Sequence, residues 1–128
     1  MSEDKLKQFA GQKYLNVETF RKNGSAVATP VWFAEDLGVL YIYSLANAGK
    51  VKRIRNNPRV RVTPCDIRGN PRGEWVEGRA RILDAAGDEH AHTLLDKKYG
   101  WVKKLGSLYS KLMKRERSAI AIEIDQRR

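Results

Sequence analysis

The sequence predicts a mainly β protein with short helices, built from six antiparallel strands closed into a barrel. Three observations carry this. Short stretches alternate apolar and polar side chains with period two, as in Leu15-Asn16-Val17-Glu18-Thr19-Phe20 and Ile120-Ala121-Ile122-Glu123-Ile124. Tight turn signals such as Asn23-Gly24, expected to supply positive φ angles, join several of them, which makes neighbours antiparallel. Six amphipathic strands in a chain of 128 residues remove their exposed edges most economically by closing on themselves.

Residues 4–9 read as a short helix with Leu6 and Phe9 on one side. The first strand runs from Leu15 to Phe20, and its hairpin partner from Ala26 to Phe33. Pro30 lacks an N–H and marks an edge position or a bulge. Asp36-Leu37-Gly38 turns the chain into a third strand, Val39 to Tyr43, rich in β-branched and aromatic residues. A basic helix follows and ends at Pro58. Val60 and Val62 then alternate with Arg59, Arg61 and Thr63 as a fourth strand. The polar, Gly/Pro-rich segment 66–73 is a hairpin loop into the fifth strand, Trp75 to Leu83. Residues 87–116 are helical, with Leu94, Leu95, Leu105, Leu108 and Leu112 as apolar positions and breaks expected at Gly100 and Gly106. Ile120, Ile122 and Ile124 share one face of the last strand. With no repeat, linker or low-complexity tail, residues 1–128 read as one domain.

The balance of 41% hydrophobic and 31% charged residues is that of a folded domain rather than a disordered chain. No apolar run is long enough to span a bilayer. Met1-Ser2-Glu3-Asp4-Lys5 lacks the basic flank and apolar stretch of a signal peptide, so a cytoplasmic protein is expected. Cys65 is alone, which excludes an intrachain disulfide and fits a reducing compartment.

The net charge of +10 is concentrated. Residues 1–49 balance five basic side chains with five acidic ones, whereas residues 50–81 set ten against three. That surplus predicts an anionic partner. Its centre is the helix after Tyr41-Ile42-Tyr43-Ser44, where Lys50, Lys52, Arg53, Arg55 and Arg59 stand together without an acid. Cations in a first helical turn oppose the helix dipole, while the free N–H groups there attract anions. An arrangement that is costly when empty and relieved by an anion points to a phosphate site. A solvated basic helix is the plain alternative.

Familiar catalytic arrangements are missing. His90 and His92 are two apart on a helix, the wrong spacing for an i,i+4 metal pair, and read as exposed surface residues. Cys65 reads as a small buried residue. Asp66, Glu74 and Glu77 flank a hairpin and are placed to pair with its arginines rather than to form a catalytic dyad. No nucleophile elbow, Walker loop or dinucleotide fingerprint occurs. No catalytic residue and no metal ligand is therefore assigned, and redox chemistry here would belong to a bound cofactor.

Thr29-Pro30-Val31-Trp32-Phe33, Tyr41 to Ser44, Gly49 to Val60, and Val62 to Asp66 with Arg68-Gly69, taken in order, resemble the pyridoxamine 5′-phosphate oxidase-like proteins. The similarity runs from about residue 8 to residue 125 and is strongest to the subgroup that uses the deazaflavin coenzyme F420. It implies a split β-barrel of the FMN-binding type, paired as a homodimer with the cofactor in the interface groove. Thr29, Pro30, Val31 and Trp32 would line the ring system, and Tyr43 and Ser44 would lie beside the ribityl chain and phosphate. Lys50 would bind the phosphate, and Trp75 would make a further contact. The oxidases usually carry an arginine just before this lysine; here it is Gly49, and Arg53 or Arg55 supplies the charge. No counterpart of the oxidases' C-terminal Trp and Arg segment is found, which argues against pyridoxamine phosphate oxidase activity itself.

The expected function is thus an oxidoreductase that passes a hydride from reduced F420 to a small conjugated acceptor. The family's F420 carries a polyanionic oligoglutamate tail that suits the surplus of residues 50–81; FMN is the alternative cofactor. A non-catalytic flavin or deazaflavin carrier is a second function, and a nucleic-acid binder, invited by the pI of 9.9, ranks third for want of a binding motif. Trp32, Tyr43 and Trp75, taken singly, also fit plain barrel core. Dimer contacts are expected from the 87–116 helical segment, with Trp101, Leu105 and Leu108, or from an open barrel face.

Overall fold

The alternating stretches pair into one seven-stranded sheet in the computed structural model, which describes residues 2–45, 49–103 and 117–125. The strands are β1 (Tyr14–Phe20), β2 (Ala26–Trp32), β3 (Ala34–Asp36), β4 (Val39–Leu45), β5 (Arg59–Cys65), β6 (Val76–Ile82) and β7 (Arg117–Ile124). The helices are α1 (Ser2–Lys7), α2 (Gly49–Asn56) and α3 (Ala85–Lys103). The order across the sheet is β2-β1-β5-β6-β7-β4-β3, and every neighbouring pair is antiparallel. Its two outermost strands, β2 and β3, are separated in sequence only by Phe33. The sheet must therefore curl until its edges meet at that residue, which makes a split β-barrel.

Period-two alternation decides what lies inside. Leu15, Val17, Leu40, Ile42, Val60, Val62, Ile120 and Ile122 are fully buried and form one cluster. Helix α2 adds Val51 and Ile54, three apart on its buried side, and α1 is tied in through Leu6 and the following Phe9. Helix α3 lies on the outer surface of β3, β4 and β7. There Ala91 and Leu95 cover Ala34, Tyr43 and Ala119, with Trp32 packed alongside. Asp84 caps α3, its Oδ1 accepting from Gly87 N at 3.0 Å.

Pro30 sits in β2, which among the described residues pairs only with β1, as its missing donor requires. Cys65 is buried, and burial with Asp66 nearby pushes its thiol pKa up. The seventh strand is an addition to the six expected. Ala34-Glu35-Asp36 carries little β preference and shows itself only by pairing with Val39–Tyr41 across the Leu37-Gly38 turn, where φ is 51° and 83°.

Four further details differ from the sequence reading. In the first hairpin only Gly24 takes a positive φ, while Asn23 acts through Oδ1, which accepts from Ser25 N at 3.0 Å. Trp75 precedes β6 rather than opening it. Helix α3 continues through Gly100 without a break, because one interior glycine weakens a helix without ending it. His92 is half-buried against Tyr43, with ring centroids 6.4 Å apart, whereas His90 is exposed and faces Asp36 at 3.0 Å. Residues 46–48, Gly106, Leu105, Leu108 and Leu112, and the side chain of Trp101 lie outside the described residues.

Candidate functional site

At one mouth of the barrel the inward faces of two strands end in hydroxyls instead of hydrocarbon. In β1 the series Leu15, Val17 is followed by Thr19; in β4 the series Leu40, Ile42 is followed by Ser44. Thr19 is 1% exposed and Ser44 4%. Helix α2 reaches both. Lys50 Nζ donates to Ser44 Oγ at 3.3 Å, and Arg53 Nε donates to Thr19 Oγ1 at 2.6 Å. Val51 and Ile54, locked in the core, fix the helix that carries these cations.

The electrostatics of this mouth are strained in one direction. The first turn of α2 contains no acidic residue. Burial, and then the neighbouring charge of Arg53, pull the Lys50 pKa below its ordinary 10.5. Hydroxyls satisfy hydrogen bonds here without neutralising charge. The arrangement therefore favours an anion with several acceptor oxygens, and a phosphate monoester fits that donor set.

The other predicted residues fall into separate places. Alternation sends Thr29 and Val31 to the inner face of β2, where Val31 packs on the core, and Pro30 and Trp32 to the outer face. Trp32 joins Tyr43 in the cluster beneath α3, and Tyr43 Oη donates to Asp88 O at 3.2 Å. Ser44 and Tyr43, adjacent in sequence, thus serve opposite faces of β4. Trp75 lies beside Arg61, whose Cζ is 5.4 Å from the ring centroid. Arg55 is exposed on α2. The structure thus brings together Ser44, Lys50 and Arg53 and joins Trp32 with Tyr43; Trp75 and Arg55 belong to neither group.

Two residues were missed by sequence reasoning. Thr19 had a signal, a hydroxyl at the third inward position of an otherwise apolar series. Lys98 belongs to the Lys98-Tyr99-Gly100-Trp101 stretch of the family resemblance, but only the packing of α3 shows that its Nζ donates to Phe33 O at 2.8 Å and lies 3.7 Å from the Phe33 ring centroid. Burial lowers the Lys98 pKa to about 8 against the opposing pull of Glu35.

Part of the basic surplus is spent elsewhere. Across the outer face of β1, β5 and β6, Arg61 pairs with Glu18 at 3.1 Å and Glu77 at 3.5 Å. Arg59 grips both Glu77 oxygens at 2.8 and 3.1 Å. Among the described residues no group of three or more His, Cys, Asp and Glu is placed to hold a metal ion, and no helix is long and apolar enough to cross a membrane.

A split barrel with a cationic helix closing one mouth defines a class of small β proteins. Within it, this chain belongs to the pyridoxamine 5′-phosphate oxidase family, whose family model matches residues 2–128. Solved structures share the fold. The chain is similar to an FAD-binding protein from Mesorhizobium loti, with TM-score 0.66 and 21% identity over 98% of this chain and 88% of that one. It is similar to HutZ, the haem storage protein from Vibrio cholerae, with TM-score 0.68 and 13% identity over 98% and 91%. An F420 reductase is similar at TM-score 0.59 and 21% identity over 93% and 91%. No curated protein matches the sequence.

Proposed function

We propose that this protein is an oxidoreductase that holds a phosphate-bearing flavin-type cofactor, coenzyme F420 by preference, and reduces a small conjugated acceptor. The observation that carries this is the mouth itself, where Lys50 and Arg53 face buried hydroxyls and their mutual repulsion is left for an anion to relieve. Membership of the pyridoxamine 5′-phosphate oxidase family, and the likeness to an FAD-binding protein and an F420 reductase, support the reading.

Lys50, Arg53 and Ser44 would grip the phosphate, with the α2 N-terminus adding its dipole. Trp32 and Tyr43, together on the outer face of β2 and β4, would flank the ring, whereas Trp75, beside Arg61, stands apart from them. The bound cofactor would supply hydride transfer. The chain's own part is to bind, orient and exclude water, and no side chain need act as an acid. A homodimer with the ring in the interface completes the proposal, since one barrel of this size leaves a ring half-exposed. Light scattering that returned about 14.6 kDa at micromolar concentration would contradict it.

The Arg59 and Arg61 ion pairs favour FMN as the second reading, because they leave less uncompensated charge for an oligoglutamate tail. Calorimetric titration with both cofactors over a salt series separates the two. F420 affinity should fall more steeply with salt than FMN affinity, since exposed charges are screened over about 8 Å at physiological ionic strength. Equal slopes, or tighter FMN binding at low salt, move the protein to FMN. Turnover of enones or quinones with reduced cofactor then distinguishes an enzyme from a carrier.

A further inference from the structure

We infer that Thr19 and Gly49 are positioning residues that fold Arg53 back over the start of α2 and hold its guanidinium ready for the anion. This rests on the reading of the mouth as a phosphate site and names the device that sets its second cation. Arg53 stands one turn after Gly49, and side chains on a helix lean towards its N-terminus. A Cβ on Gly49 would lie 2.8 Å from Arg53 Nη1, 3.5 Å from Cζ and 3.6 Å from Nη2. The guanidinium therefore occupies the space that any other residue at 49 would fill. Gly49 is not among the residues with positive φ, so space rather than backbone freedom is the reason for glycine.

Thr19 supplies the other half. Its buried Oγ1 accepts from Nε at 2.6 Å, which fixes the plane of the fork from below. An uncharged acceptor leaves the full positive charge in place, in contrast to the carboxylates that hold Arg59 and Arg61. With Nε engaged, Nη1 and Nη2 lie over Gly49, on the same turn as Lys50. Arg55 is exposed and has no such anchor among the described residues, so Arg53 takes the place of the arginine missing at position 49.

The test compares FMN and riboflavin, which lacks the phosphate, on wild type and on Thr19→Val, Thr19→Ser, Gly49→Ala, Arg53→Ala and Lys50→Ala. Thr19→Val and Gly49→Ala should each weaken FMN by about three- to tenfold, less than the loss of the charge-assisted contact itself, and leave riboflavin unchanged. Thr19→Ser should restore wild-type affinity. Gly49→Ala should hold or raise the melting temperature while it weakens binding, because alanine favours the helix. Both effects should vanish in an Arg53→Ala background. Persistence of either effect without Arg53, or no effect of either while Arg53→Ala weakens FMN, overturns the inference. Loss of FMN affinity in Lys50→Ala but not in Arg53→Ala also overturns it and leaves the phosphate site standing. If neither cation matters to FMN, the phosphate reading itself fails, and the inference with it.

Discussion

Two cationic regions of this molecule arise from one short run of sequence and behave oppositely. Lys50 and Arg53, on α2, meet hydroxyls at the barrel mouth; Arg59 and Arg61, on the next strand, meet Glu18 and Glu77 on the outer face. The ladder on the outer face is charge-compensated and asks for no ligand. The mouth satisfies hydrogen bonds yet keeps its charge, and Lys50 registers the cost as a lowered pKa. Net charge alone would have counted all four side chains alike. What separates the proposed binding site from a structural surface here is the chemistry of the acceptor, hydroxyl against carboxylate.

The comparison breaks most readily at Lys50. Replacing it with Ala should weaken cofactor binding by roughly 1.5–3 kcal/mol, the scale of a charge-assisted hydrogen bond, as read by calorimetric titration. Thermal melting of the empty protein should hold or rise slightly, since a half-buried cation beside Arg53 is removed. Unchanged affinity would place the phosphate elsewhere.

A second, smaller effect concerns Lys98, which links α3 to Phe33 at the turning point between β2 and β3. Its folded pKa of about 8 lies below the ordinary 10.5, so the unfolded chain binds more protons between those values. The penalty is complete below about pH 8 and fades as pH rises towards 10.5. Relative to Lys98→Met, wild type should therefore gain melting temperature between pH 7 and about pH 10. A difference that stays flat across that range contradicts the burial assigned to this amine.

The smallest effect is expected on the outer ladder. Arg59→Ala should leave FMN affinity within about twofold, because the ion pair with Glu77 is exposed and belongs to a different face. A loss as large as that of Lys50→Ala would mean that the two regions act as one site.

Much of the barrel was legible in the sequence, because alternation at Leu15–Thr19 and Ile120–Ile124 decides which face is buried. The basic first turn of α2 and Ser44 were legible too, as a charge pattern and a strand end. Strand β3 was not, since three residues of low β preference become a strand only when Val39–Tyr41 offers hydrogen bonds. The sorting of the cations was also hidden. Arg61 finds Glu18 across 43 residues and Arg53 finds Thr19 across 34, distances that only strand register and helix packing close. Nor could sequence show that Tyr43 and Ser44, expected side by side at a cofactor, point to opposite faces of β4.

The most direct test follows the Lys50 ammonium by NMR, with its side-chain carbon and nitrogen labelled, through a pH titration with and without FMN. In the empty protein Lys50 should titrate below 10.5, and added FMN should move it upward as the phosphate offsets Arg53 and the loss of water. Riboflavin should leave it where it was. A Lys50 pKa that FMN does not move, with FMN bound, would contradict the assignment of the barrel mouth as the phosphate site.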